Sequence, residues 1–266
     1  FPIYSHLNKV IGFAGRVIDN QKQAKYLNSP ESPIYNKRRV LYGLNLNKND
    51  IINQKAVIVV EGYFDLIQLY QINIKNVVAV SGTAFTDEHA LAISKLCKSV
   101  YIAYDGDTAG RNAAIRAGYT ILKNNLEVKI INIPNKLDPD DWIQNEGATP
   151  FKQAYQNAQD FLEFHYKKES QKIKTEHDKI EFINNTLFEL SNIDNELTVE
   201  LLIKKLSEIT SFNFDTILNS LQKINKNKNK YQRISLETEE TPQIIEEKIS
   251  TVEKELITFC FVKNIN

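Results

Sequence analysis

The sequence predicts an α/β fold built on a mainly parallel sheet flanked by helices, preceded by a partial basic α+β segment and followed by a helical bundle. Three observations carry this. Short apolar runs rich in β-branched residues stand at 56–60, 77–80, 100–104 and 128–133. Segments with helical spacing fall between them, at 64–72, 86–97 and 108–124. Continuous apolar strands alternating with amphipathic helices are what a parallel sheet covered on both faces requires. After Pro150 the strand signal disappears, and apolar residues recur at i, i+3 and i+4, as in Ile180, Ile183, Leu187 and Leu190.

In chain order, residues 1–55 open with two β runs around a polar break at Asn8 and Lys9, which suggests a hairpin. A loop-rich stretch with Pro30 and Pro33 leads to the basic trio Lys37, Arg38 and Arg39. Residues 56–148 hold the sheet, and residues 149–224 the bundle. Residues 225–243, rich in Lys, Asn, Glu and Thr, read as a linker. Residues 244–266 read as the truncated start of another domain. The chain begins inside a predicted strand and contains no methionine, so an excised fragment is expected.

The formal net charge of the 266 residues is zero, but the distribution is uneven. Residues 1–55 carry nine Lys/Arg against three Asp/Glu, residues 56–145 eight against ten, and residues 234–266 three against seven. A basic piece beside clustered carboxylates suits a polyanion partner, although a solvated basic face gives the same pattern. Cys97 and Cys260 have no metal-ligand spacing, which fits a reducing cytosolic compartment and excludes a disulfide framework or a cysteine zinc site. No apolar run approaches the roughly 20 residues that span a bilayer, and no signal peptide is evident.

The chemistry is concentrated at the predicted strand ends. Glu61 follows the first strand, with Asp65 four residues on; Asp105 and Asp107 follow the third; Asp138 and Asp140 follow the fourth. Alternate residues of an extended segment point the same way, so Asp105 and Asp107 are expected to aim at one point, with Gly106 keeping the approach open. Each piece also has a plain structural reading. Asp107 and Asp138 sit where helix caps belong, Pro139 suits a first helical position, and Glu61 could simply end a strand. Together, however, the acids crowd one sheet edge, an arrangement that a cation would compensate. An oxygen-only donor set suits Mg²⁺, or Mn²⁺, and phosphoryl transfer. Ser81-Gly82-Thr83, after the second strand, could offer backbone donors to a phosphate, but such tripeptides are common.

Glu61-Gly62-Tyr63-Phe64-Asp65, Ser81-Gly82-Thr83 and Asp105-Gly106-Asp107-Thr108-Ala109-Gly110-Arg111 resemble the Toprim signature, a Glu motif followed by Asp-x-Asp. Asp138-Pro139-Asp140 resembles the third acidic motif of bacterial DnaG-type primases. Upstream, Ile11-Gly12-Phe13-Ala14-Gly15-Arg16, the run from Lys25 to Glu31, Lys37 and Leu41-Tyr42-Gly43 are similar to the basic segment before Toprim in those primases. The resemblance implies a DNA primase that makes short RNA primers by metal-dependent nucleotidyl transfer. It implies Glu61, Asp105 and Asp107 as catalytic residues, and Glu61, Asp65, Asp105, Asp107, Asp138 and Asp140 as metal ligands. Arg16, Lys25, Tyr26, Asn28 and Lys37 would handle nucleotide and nucleic acid.

The implied partners are a single-stranded DNA template, ribonucleoside triphosphates, the replicative helicase through the C-terminal domain, and a single-stranded DNA-binding protein. No membrane is expected, and the place is the bacterial cytoplasm at the replication fork. Zinc would belong to a domain that this sequence lacks. Two alternatives share the acids or the bundle: a Toprim nuclease or topoisomerase fragment, and a non-catalytic helicase-docking module. The basic segment separates the first from a primase, and the intact acids argue against the second.

Overall fold

In the computed structural model, residues 1–17 and 26–238 are described, with side chains described through residue 228. By contacts the chain divides into two units, Phe1–Ile224 and Asn225–Asn266. The centre of the first unit is a five-stranded sheet of β4 (Ala56–Val60), β5 (Val77–Ala79), β6 (Ser99–Ile102), β7 (Glu127–Ile130) and β8 (Gln159–Asp160), in the order β5-β4-β6-β7-β8. All pairings are parallel except β7 with β8. β8 corrects the expectation that strands end before residue 150: two residues are too short to show a period, and an antiparallel strand at the sheet's edge needs no long run.

Every residue of β4 is buried, and alternate side chains serve opposite faces. Val57 and Val59 join one core with Ile93 of α3 (Asp87–Ser94), Ile121 of α4 (Thr108–Lys123) and the bundle. Ile58 and Val60 join the other, with Leu66 and Leu69 of α2 (Tyr63–Gln71), Trp142 of α5 (Pro139–Glu146) and Phe151 of α6 (Ala148–Gln156). The bundle helices are α7 (Phe161–Glu169), α8 (Glu176–Leu190), α9 (Glu196–Thr210) and α10 (Phe214–Thr238). Residues 225–238 thus continue a helix where a linker was expected. A low apolar content does not by itself prevent a helix, and Lys, which recurs at 226, 228 and 230, is a good helix former. Residues 239–266, including the rest of the linker and most of the expected further domain, lie outside the described residues.

The N-terminal piece is a three-stranded antiparallel sheet of β1 (Pro2–Tyr4), β2 (Val10–Arg16) and β3 (Tyr26–Asn28), followed by a 3-10 turn at Lys37–Arg39 and by α1 (Leu44–Gln54). It is bound to the larger sheet in two ways. Tyr42 and Ala79 exchange backbone hydrogen bonds of 2.9 and 3.0 Å, and Asn47 of α1 donates to the Val77 carbonyl at 2.7 Å. Tyr63, at 1 % exposure, stacks on Phe1 (centroids 4.9 Å apart, 11° between planes) and donates its hydroxyl to Asn28 Oδ1 at 2.9 Å. The Asn28 amide in turn donates to the Ser81 carbonyl, also at 2.9 Å. Asn28→Ala removes both bonds and leaves the Tyr63 hydroxyl without its acceptor. The expected cost is about 1–3 kcal/mol, seen as a lower denaturant midpoint with an unchanged slope.

Candidate functional site

The order of the central sheet creates a crevice. β5 lies to one side of β4 and β6 to the other, so the connection after β4 and the one after β6 run in opposite directions, and ligands in open α/β sheets bind at such a point beyond the strand carboxyl ends. Glu61 immediately follows β4, and Asp105 lies three residues past β6. Glu61 Oε1 accepts the Asp105 backbone N–H at 3.2 Å, which joins the two strand ends.

The other acids arrive on helix starts. Asp65, in the first turn of α2, reaches back to accept the Gly62 N–H at 2.8 Å. Its second oxygen accepts the Asp140 N–H at 3.3 Å, so α2 and α5 meet through a carboxylate. Asp138 caps α5 by accepting from the Asp141 N–H at 2.6 Å, and the Gln144 amide holds Asp140 at 2.6 Å. The capping expectation for Asp138 therefore holds, and it still lines the site. Gly106 N–H donates to the Leu137 carbonyl at 2.8 Å, which ties the Asp105 loop to the segment leading to α5.

These elements enclose a cavity of about 430 Å³ that Glu61, Asp65, Asp105, Asp138 and Asp140 line. Arg16, Tyr26 and Asn28 enter from the N-terminal sheet. Arg16 and Tyr26 are a cross-strand pair, and the guanidinium lies 4.4 Å from the Phe64 ring centroid and 5.7 Å from that of Tyr26. Asn28 lines the wall with both ends of its amide already bonded to protein.

Two of the expected site residues lie away from the cavity wall. Asp107 does not join Asp105 on the cavity wall. It is exposed, and its Oδ1 caps α4 by accepting the Gly110 N–H at 2.7 Å. The helix begins at Thr108, so the extended geometry that would have aligned the two carboxylates ends at Asp107. Lys37 lies in the 3-10 turn, where its carbonyl meets His89 Nε2 at 3.1 Å and its N–H meets Glu31, away from the cavity lining. Lys25 lies outside the described residues. Sequence reading missed Tyr63 and Phe64, which line the cavity from the first turn of α2; aromatic residues in a predicted helix look like core.

Residues 58–143 match the family model described as Toprim-like, and residues 1–48 match that of the DNA primase catalytic core N-terminal domain. The crystal structure of a DNA primase domain from Pseudomonas aeruginosa is 33 % identical, with a TM-score of 0.74 over 84 % of this chain and 71 % of that one. The chain belongs to the DnaG-type DNA primase family. The Listeria monocytogenes DNA primase is 34 % identical over 239 residues, 88 % of this chain but only 38 % of its own length. The chain thus spans less than half the length of the curated primases it matches. A DnaG primase catalytic domain bound to single-stranded DNA superposes with a TM-score of 0.71 at 31 % identity, over 81 % of this chain and 70 % of that one.

Primases of this family use divalent metal ions, and the electrostatics of the acids suit one. Burial, then the charge of Asp138, pushes the Asp65 carboxyl up to about 7 against the pull of two N–H donors. Burial, then Glu61 and Asp65, pushes Asp105 up to about 7. Burial raises Glu61 as well. Carboxylates that resist ionisation because they are buried beside one another are a donor set that a cation completes. Among the described residues no three such side chains stand close enough to share one ion. Mg²⁺-type binding, with one or two carboxylates and the remaining positions filled by water and phosphate oxygens, matches that spacing.

The primase acids predict a pH effect. A carboxyl raised above its ordinary value destabilises the fold when it charges. The metal-free chain should therefore lose stability as pH rises from about 4 through about 7, and the loss is complete above that. Asp105→Asn removes its part of the loss. Because the group is partly open to solvent, screening reduces the gain to about 1–2 kcal/mol at pH 8, with no gain at pH 4. Thermal melting at the two pH values checks it.

Proposed function

We propose that the chain catalyses DNA-templated synthesis of short RNA primers by nucleotidyl transfer. The 3′-hydroxyl of one ribonucleotide attacks the α-phosphate of the next, and pyrophosphate leaves. One observation carries the reading: the acids of the parallel sheet and the Arg16–Tyr26 pair of the basic N-terminal sheet line the same cavity. A nuclease built on the same acids has no need of that second wall.

Glu61 and Asp105 on one side, and Asp65, Asp138 and Asp140 on the other, would hold Mg²⁺ or Mn²⁺. When bound, such an ion neutralises phosphate charge and aligns the attacking and leaving oxygens. Arg16, its guanidinium backed by two aromatic rings, would take phosphate oxygens in a two-pronged contact. Tyr26 would pack against a nucleotide face. Glu61, fixed through Oε1 to the Asp105 amide, would either anchor a cation or accept the hydroxyl proton, and Glu61→Gln separates these, since an amide still offers an oxygen ligand but takes no proton. Asp107 would act through its charge, since both Glu61 and Asp105 feel it. Lys25 and Lys37 would extend the basic surface along the template.

The partners follow from the same reading: single-stranded DNA, ribonucleoside triphosphates, the replicative helicase through the region beyond the bundle, and a single-stranded DNA-binding protein. Among the described residues no helix is long and apolar enough to cross a membrane. The test supplies a DNA template with an annealed RNA primer, ribonucleotides and Mg²⁺. Extension by the chain, lost in Asp105→Ala, is the expected result. Nicking of plasmid DNA without extension would overturn the reading in favour of a nuclease.

A further inference from the structure

The loop after β5 stands out from its surroundings. Ser81 and Gly82 both adopt left-handed backbone, with φ of 52° and 85°. The chain there leaves the sheet ladder after Ser81 N–H bonds the Glu61 carbonyl at 2.9 Å. Among the described residues, the N–H groups of Gly82, Thr83 and Ala84 meet no protein acceptor, and all three residues line the acidic cavity. A second observation is independent of the backbone. Ser81 is 9 % exposed and lines the same cavity, and its hydroxyl makes no hydrogen bond of ordinary geometry, although the Tyr63 phenol lies near enough to feel it. A buried hydroxyl without a partner is costly unless something else completes it.

We propose that the Ser81–Ala84 loop is a phosphate subsite of this cavity, binding phosphate oxygens through the Gly82, Thr83 and Ala84 amides and the Ser81 hydroxyl. Successive amides freed by a left-handed turn form the kind of concave donor set that takes an oxyanion. The cavity supplies the reason for using neutral donors. Six acids line it, Asp141 among them, and Arg16 enters from one wall, so amides hold a phosphate without adding a cation that would pair with the carboxylates. The left-handed φ at Ser81 then has a purpose, because a non-glycine residue there holds a hydroxyl where glycine would hold none. The subsite refines the nucleotidyl-transfer reading and rests on it, since it assigns a place to a phosphate of the nucleotide or of the template.

The test is ¹⁵N-resolved NMR of the whole chain at fixed Mg²⁺, titrated in one arm with inorganic tripolyphosphate and in the other with a short single-stranded oligodeoxynucleotide. Saturable downfield shifts of the Gly82, Thr83 and Ala84 amide protons in either arm support the subsite, and the arm that gives them identifies the source of the phosphate. Ser81→Gly keeps the left-handed turn and deletes only the hydroxyl; it should weaken binding roughly tenfold or more, the scale of one hydrogen bond to a charged group. The inference is overturned if neither arm moves those amides, or if Ser81→Gly, with its spectrum otherwise preserved, binds with unchanged affinity. The wild-type titration decides the matter if the variant does not fold. Because the readout is binding, primer extension without these shifts would sink the subsite alone, and shifts without extension would sink the polymerase reading alone.

Discussion

Asp105→Ala is expected to reduce primer extension by about 10²–10³-fold or more, the scale on which removal of a preorganised charge contact acts in a transition state. The residue stands at the topological switch of the sheet, its carboxyl is pushed up to about 7, and its amide holds Glu61. The loss should appear in the turnover number, with the fold intact or more stable above neutral pH, because one of the mutually repelling carboxylates is gone. A parallel measurement addresses its neighbour. Asp107→Ala should cost about 1 kcal/mol through the lost helix cap, whereas Asp107→Ser keeps a capping oxygen and removes only the charge. Extension by Asp107→Ser should fall less than by Asp105→Ala; an equal fall would mean that Asp107 leaves its cap when nucleotide binds.

The second large effect is at Gly106. A Cβ there would lie 1.9 Å from the Pro134 carbonyl oxygen and 2.8 Å from that of Ile133, both rigid backbone rather than flexible side chain. Gly106→Ala must push the 133–137 segment away and break the bond from Gly106 N–H to the Leu137 carbonyl. A cost of about 3 kcal/mol or more is expected in denaturant unfolding, at the upper end for overpacking because backbone has to move. The displaced segment leads directly to Asp138 and Asp140. Divalent-ion binding, followed by calorimetry, should therefore weaken by more than the stability loss alone explains.

β4 and β5 were legible because they are buried on both faces and read as unbroken apolar runs; β6 and β7 bury alternate residues and were legible from the Val, Tyr and Ile around them. The helices α2, α3 and α4 showed their spacing as well. α1 escaped notice because Leu44–Gln54 is rich in Asn and buries only Asn47 and Ile51, so no apolar stripe marks it. β8 is two residues long, and α10 outlasts its own apolar pattern. At the site, the positions of Glu61, Asp65, Asp105, Asp138 and Asp140 followed from their places at strand and helix ends. What could not be read was orientation. Asp107 and Asp105 differ by one helical start, and only the three-dimensional fold shows that the cap takes one carboxylate and the cavity the other. Likewise Asn28 sits on the expected strand, but its role as a bridge from Tyr63 to Ser81 depends on a partner 53 residues away.

The pair of hydrogen bonds between Tyr42 and Ala79, with the Asn47 amide on the Val77 carbonyl, has a practical meaning for handling the protein. β5 is the outer strand of the sheet on that side, and these two residues occupy the backbone groups it would otherwise present. A truncation at the composition boundary near residue 55 would look clean on paper but would uncover a fully buried Val-Val-Ala strand with free hydrogen-bonding groups, a template for chain-to-chain pairing. Such a truncated form should express as aggregates, whereas forms cut upstream of residue 40 should stay dispersed. The basic segment thus also acts as the cover of the β5 edge, which ties the solubility of the acidic domain to the piece that would bring it nucleic acid.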